Sequence, residues 1–88
     1  MDVKDLRFFV AAYEAKSFSG ATTALGTVQS NVSLRIRNLE EFLDVPLFVR
    51  MHRNVVPTEH GETLYQHAKN VIATLDETER AVRPTRVA

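Results

Sequence analysis

The side chains best able to do chemistry in this sequence are amides, hydroxyls and guanidinium groups rather than nucleophiles. Gln29, Ser30 and Ser33 fall close together at the start of a helix-periodic segment. A glutamine amide donates and accepts at once, so it can pair in bidentate fashion with adenine N6 and N7, while serine hydroxyls reach bases or phosphates. Further along, Arg50, His52 and Arg53 crowd into one predicted turn. Arginine on a projecting loop suits the narrow, negative minor groove of a duplex. Thr27, Asn31, Arg35 and Arg37 complete the polar set, with Arg35, Arg37 and Arg50 as candidates for phosphate. Each feature has a plain alternative: a solvated helix face for the first, and a charged turn guarding a sheet edge for the second.

Other chemistries lack their residues. Cysteine is absent, which excludes disulfides, thiol nucleophiles and zinc held by thiolates. His52, His60 and His67 are too dispersed for a metal set, and His60 and His67 are expected on the wet face of a helix. Glycines at 20, 26 and 61 cannot build a phosphate loop, and no nucleophile elbow occurs. No catalytic residue, metal or cofactor is therefore assigned, and the chain does not read as an enzyme.

The positioning elements follow from periodicity. Val3, Leu6, Phe9, Val10 and Tyr13 recur at spacings of three and four, predicting a helix over 3–16 with Asp2 as N-cap. Ser17 and Ser19 open a second, two-turn helix that stops at Gly26. Thr27 is the expected N-cap of a third, with Val32, Ile36, Leu39 and Leu43 on its inner face. Glu40, Glu41 and Asp44 collect at its C-terminal end, where the helix dipole disfavours them, and the sequence offers no reason for it. Pro46 and Pro57 bracket two β-prone runs that predict a hairpin with a basic tip. Thr58 then caps a long helix reaching about Arg83, with Gly61 tolerated in its first turn. Leu64, Ala68, Val71, Leu75, Thr78 and Val82 form a heptad-like seam that calls for a second helix.

Length and charge frame these elements. At 88 residues the chain fits one domain on a prior of about 150 residues per domain. Hydrophobic content of 44% with 25% charged residues supports a packed core. The 11 basic and 11 acidic residues cancel, so only the placement of charge can argue for a polyanionic partner. With no apolar run near 18 residues and no signal peptide at the start, no membrane partner is expected and a cytoplasmic location is.

A short helix, a glycine turn and a longer helix with a polar outer face make a helix-turn-helix, whose second helix enters the major groove. The run Ser17-Phe18-Ser19-Gly20-Ala21, Leu25, Val28-Gln29-Ser30-Asn31-Val32-Ser33, Ile36, Leu39-Glu40, Leu43, Pro46-Leu47-Phe48, Arg50, Arg53, Thr58 and Gly61 resembles the N-terminal DNA-binding domain of LysR-type transcriptional regulators. Register holds without a gap from about Leu6 to Ala73.

The resemblance implies a mainly α fold, a winged helix-turn-helix of three helices and a small β-hairpin wing, followed by a long linker helix that dimerises with its twin. It implies base contacts at Gln29, Ser30 and Ser33 and a wing arginine at Arg53. It also implies a C-terminal effector-binding domain beyond these residues, and tetramers of the full-length parent.

Thr22, Thr27-Val28, Asp44 and Leu34 depart from the usual pattern. Asp44 replaces a usual glycine and tolerates left-handed backbone; Leu34 stands where arginine often touches DNA and would meet a thymine methyl or nothing. The expected organisation is a winged helix-turn-helix at 1–57, a linker and dimerisation helix at 58–83, and a hinge or truncated tail at 84–88. The expected function is sequence-specific binding of a pseudo-palindromic double-stranded operator by a homodimer. The competing reading is a helical protein-interaction module without DNA binding.

Overall fold

The computed structural model describes residues 1–84 and is mostly helical. Of the tail expected at 84–88, residues 85–88 lie outside the described part. Helix α1 (Val3–Ala15) starts at a capping box made from two aspartates. Asp2 accepts from the Asp5 N–H at 2.8 Å and Asp5 accepts from the Asp2 N–H at 3.0 Å. It ends at Lys16, which adopts left-handed backbone, φ 55°. Ser17 then caps α2 (Phe18–Leu25) by accepting from the Gly20 N–H at 3.0 Å. Gly26, at φ 63°, closes α2 in the left-handed region that only glycine enters freely.

Helix α3 (Gln29–Leu43) corrects one expectation. Its N-cap is Val28, which brings no side-chain oxygen, while the Thr27 hydroxyl accepts a hydrogen bond from the Asn31 amide at 2.9 Å. At the other end Asp44 takes φ 58°, the left-handed geometry its short polar side chain tolerates. Thr22, half-buried in α2, satisfies its hydroxyl by donating to the Ser19 carbonyl at 2.6 Å.

Strands β1 (Phe48–Met51) and β2 (Asn54–Pro57) pair antiparallel, with Val49 opposite Val56 and Arg50 opposite Val55. Their turn is His52-Arg53, with His52 at φ 58°. A two-stranded hairpin is marginal alone in water. This one is held at four places. The Phe48 ring lies 5.3 Å from Phe9 of α1 and meets the Phe18 ring of α2 edge-on at 5.7 Å. The Val55 N–H donates to the Lys16 carbonyl at 3.0 Å. The Glu40 carboxylate of α3 accepts from the Leu47 N–H at 2.7 Å and the Phe48 N–H at 3.4 Å. That last contact explains one of the acids left unexplained at the end of α3.

Helix α4 (Glu59–Val82) is capped by Thr58, which accepts from the Gly61 N–H at 3.1 Å and donates to the Pro46 carbonyl at 2.6 Å. Gly61 is required here rather than tolerated, because a Cβ on it would overlap the Leu47 carbonyl. The core is shared by α1, α2, α3 and the hairpin, with Phe9, Val32, Ile36, Leu39 and Leu47 almost wholly enclosed. Phe8 and Ala12, outside the stripe expected for α1, are buried too. Leu64 and Ala68 are also held within the chain: Leu64 packs on the core and Ala68 is 1% exposed. The seam therefore has part of its second helix in α1 of the same chain. Val71, Thr78 and Val82 remain exposed, with Leu75 half-buried.

Among the described residues, no helix is long and apolar enough to cross a membrane.

Candidate nucleic-acid interface

The start of α3 and the hairpin tip face one cleft. Gln29 lines it together with Arg50, His52, Arg53 and Asn54 of the hairpin and Ser17, Ser19 and Gly20 at the start of α2. Gln29 and Ser30 are exposed in the first turn of α3, and Ser33 follows one turn on, half-buried. Because no side chain caps α3, its positive end stays open toward the same side, which favours an anion there. Sequence reading did not find Ser17, Ser19 and Gly20 as cleft residues. Their proximity to the hairpin is tertiary, and no local spacing signals it.

Arg50 ties the two halves of this surface together. Its guanidinium lies 4.8 Å from the centre of the Phe18 ring, a cation–π arrangement, and donates to Ser33 Oγ at 3.2 Å. Ser33 thus accepts from the wing while its own proton stays available for a base or phosphate. Arg37 is exposed on the outer side of α3, in a shallow depression with Ser33, Glu40 and Arg50. Arg37, Arg50 and Arg53 have no carboxylate partner among the described residues.

Arg35 departs from its expected place in this set. It bonds Asp5 of α1 at 3.0 Å and lies 5.1 Å from the centre of the Phe8 ring, with its side chain 28% exposed. Partial burial pushes the Asp5 carboxyl up, but the Asp2 N–H and the Arg35 guanidinium outweigh that and leave it below the ordinary aspartate value. Arg35 is therefore an α1–α3 tie, and the sequence could not show it because its partner lies thirty positions away. Thr27 and Asn31 are likewise occupied, each bonding the other at 2.9 Å.

Glu40, Glu41 and Asp44 do not line the cleft that holds Gln29. Glu40 is turned toward β1, and Glu41 and Asp44 are exposed some 20 Å along α3 from Gln29 at a rise of 1.5 Å per residue. Two apolar side chains, Val28 at 63% and Leu34 at 44% exposure, also lie on the open surface of this segment. His60 and His67 are exposed on α4. Among the described residues no three His, Asp, Glu or Cys side chains are grouped as metal ligands.

Comparison with known proteins places this geometry. Residues 3–62 match the family described as bacterial regulatory helix-turn-helix protein, lysR family. The HTH-type transcriptional regulator YofA of Bacillus subtilis (strain 168) is 41% identical over 86 residues, which cover 98% of this chain and 30% of YofA. The DNA-binding domain of BenM, solved in complex with benA site 1 DNA, superposes with a TM-score of 0.87 at 36% identity, over 92% of this chain and 94% of that one. Full-length BenM gives 0.86 at 35% identity, over 99% of this chain and 29% of its own. This chain thus spans about a third of the length of its full-length relatives. The four helices and two-stranded hairpin are the winged-helix arrangement of those DNA-binding domains. With a match over most of its length and the same fold, the chain belongs to the LysR family of bacterial transcriptional regulators.

Proposed function

We propose that this chain is the operator-reading module of a bacterial transcriptional regulator, binding double-stranded DNA by sequence as a homodimer. Gln29, Ser30 and Ser33 read base edges in the major groove, with Leu34 placed to meet a thymine methyl. Arg53 enters the flanking minor groove from the wing tip, and Arg37, Arg50 and His52 face phosphate. The observation that carries this reading is the shared cleft, in which Gln29 and three basic wing residues converge while the nearby acids point elsewhere. The solved complex of the BenM domain with benA site 1 DNA supports it, since that domain has the same fold.

Residues 1–57 form the reading head and 58–83 the linker helix. The seam that remains free for a twin is Val71, Leu75, Thr78 and Val82, at spacings of four, three and four; Leu64 and Ala68 serve the chain's own core. Two heads related by a twofold axis then occupy successive major grooves of a pseudo-palindromic site. The full-length parent assembles as a tetramer and works in the cytoplasm, and the module itself carries no catalytic chemistry.

A salt titration against random duplex DNA is the first test. Affinity should fall with a log–log slope of about −0.9 for each phosphate contacted. A protein-interaction module would show no such slope. Selection of bound sites from a random library then reports half-site, spacing and symmetry together; an unstructured pool after selection would refute sequence-specific reading.

A further inference from the structure

The face between α1 and α4 carries a polar arrangement at the edge of the core, where the Tyr13 and Tyr65 rings pack on the cluster and their hydroxyls point to carboxylates. The Tyr13 and Tyr65 rings stack at 3.7 Å and 8°. Each hydroxyl then donates across to a carboxylate of the opposite helix, Tyr13 to Glu62 and Tyr65 to Glu14, both at 2.7 Å. Lys69 adds a 3.5 Å ion pair to Glu14, and Arg7 meets Asp76 at 3.2 Å near the other end of α1. We propose that this reciprocal clasp fixes the angle at which α4 leaves the reading head, and so sets the distance between the two heads of the dimer. Tyr13, Glu14, Glu62 and Tyr65 are then positioning residues for half-site spacing. The proposal rests on α4 being the dimerisation helix.

Shape gives the reason. Between the clasp and the Arg7–Asp76 pair, α1, α2 and α4 leave an open groove lined by Val10, Ala11, Ala24, Leu25, Ile72 and Ala73. Where an open groove parts two helices, the side-chain ridges of one do not interlock with those of the other, and packing there resists rotation only weakly. Leu64 and Ala68 seat the first half of α4 against the head; beyond them, angular stiffness comes from bonds with direction, and those sit at the two ends of the groove.

The lever is long. A rotation of about 10° acting over roughly 25 Å of helix and head shifts the reading residues by about 4 Å, more than one base-pair step of roughly 3.4 Å. A slack clasp would therefore blur the spacing the dimer accepts without touching the residues that read bases.

The test compares the wild-type chain with Tyr13→Phe/Tyr65→Phe, which keeps the stacked rings and removes both hydroxyl bonds. The probes are duplexes with two selected half-sites, their separation varied one base pair at a time, and a duplex with a single half-site. The double variant should bind the single half-site within about twofold of wild type, while its preference for the best spacing over its neighbours falls at least about threefold. Glu14→Gln/Glu62→Gln, whose amide oxygens still accept, should retain more of the preference than the phenylalanine pair.

An unchanged spacing profile in a variant that melts as a folded protein overturns the proposal. So does an equal loss on the single half-site, which would assign the clasp to head stability alone. A wild-type chain that binds DNA with no spacing preference also overturns it, and leaves the DNA reading standing. Absence of salt-dependent binding removes both.

Discussion

The two sides of this molecule handle charge in opposite ways. On the α1–α4 side Arg7, Glu14, Lys69 and Asp76 are joined in pairs across the helices. On the side made by α3 and the wing, Arg37, Arg50 and Arg53 have no carboxylate partner among the described residues, and the Glu40 carboxylate is taken up by the N–H groups of Leu47 and Phe48 where β1 begins. The chain is neutral as a whole. The cationic face is balanced by exposed acids placed elsewhere, Glu41, Asp44 and Glu77 among them, which shows why net charge alone cannot argue for or against a polyanionic partner.

This contrast can be broken most completely by detaching the wing. Phe48→Ala removes the ring that joins the hairpin to Phe9 and Phe18, and should destabilise the fold by about 3 to 5 kcal/mol in denaturant titration. If stability hardly changes, the hairpin is not part of the core. Next comes Gln29, the residue proposed to read a base. Gln29→Ala should lose about 1 to 3 kcal/mol on a selected site and relax one base position. Unchanged affinity and unchanged preference would remove the recognition-helix assignment. On the α1–α4 side, Leu75→Glu places a charge in the free seam and should weaken self-association at least about tenfold in sedimentation, with the single-head fold intact.

A subtler pair sharpens the comparison, because Arg35 and Arg37 are two positions apart on one helix and belong to opposite sides of it. Arg37→Ala should weaken all duplexes alike and flatten the salt slope by about 0.9. Arg35→Ala should leave that slope alone and lower stability by about 1 kcal/mol through loss of the Asp5 tie. Identical salt slopes for the two variants would contradict the division.

The smallest effects are those of pH. Asp5 is held below its ordinary value, so its tie to Arg35 stabilises fully above the unfolded-state value near 4 and is lost as pH falls through the lower folded value. Asp5→Asn should remove that part of the acid limb. Tyr13 and Tyr65 are raised, each chiefly by its hydrogen bond to a carboxylate, Glu62 and Glu14 respectively. Their contribution is whole below the unfolded value near 10 and is lost as pH rises through the raised folded values. Alkaline unfolding of the double phenylalanine variant should lack this component.

Much of the architecture was legible because it is written in local spacing. The capping aspartate, Ser17, Gly26, the α3 stripe of Val32, Ile36 and Leu39, and the basic hairpin tip each depend on neighbours a few positions away. What escaped depends on distant partners. Arg35 reads as one more outward arginine until α1 brings Asp5 to it, and Glu40 reads as misplaced until the hairpin supplies two N–H groups. Gly61 reads as indifferent until the Leu47 carbonyl is seen against it. Ala68 fits a seam for a twin equally well as a site of contact with α1, since heptad spacing does not say whose helix fills it. At the reading surface, residue types were legible, but the cleft that gathers Ser17, Gln29 and Arg53 was not.

The Glu40 carboxylate has one further consequence. By anchoring the first strand of the wing to the rod that carries Gln29, it joins the two probing tips into a caliper of fixed gap. A caliper measures what it touches. If the proposed reading of DNA holds, duplexes whose adjacent grooves match that gap without bending would be favoured over equally well-spelled duplexes that must be deformed, and the mechanical stiffness of a site would become part of its address.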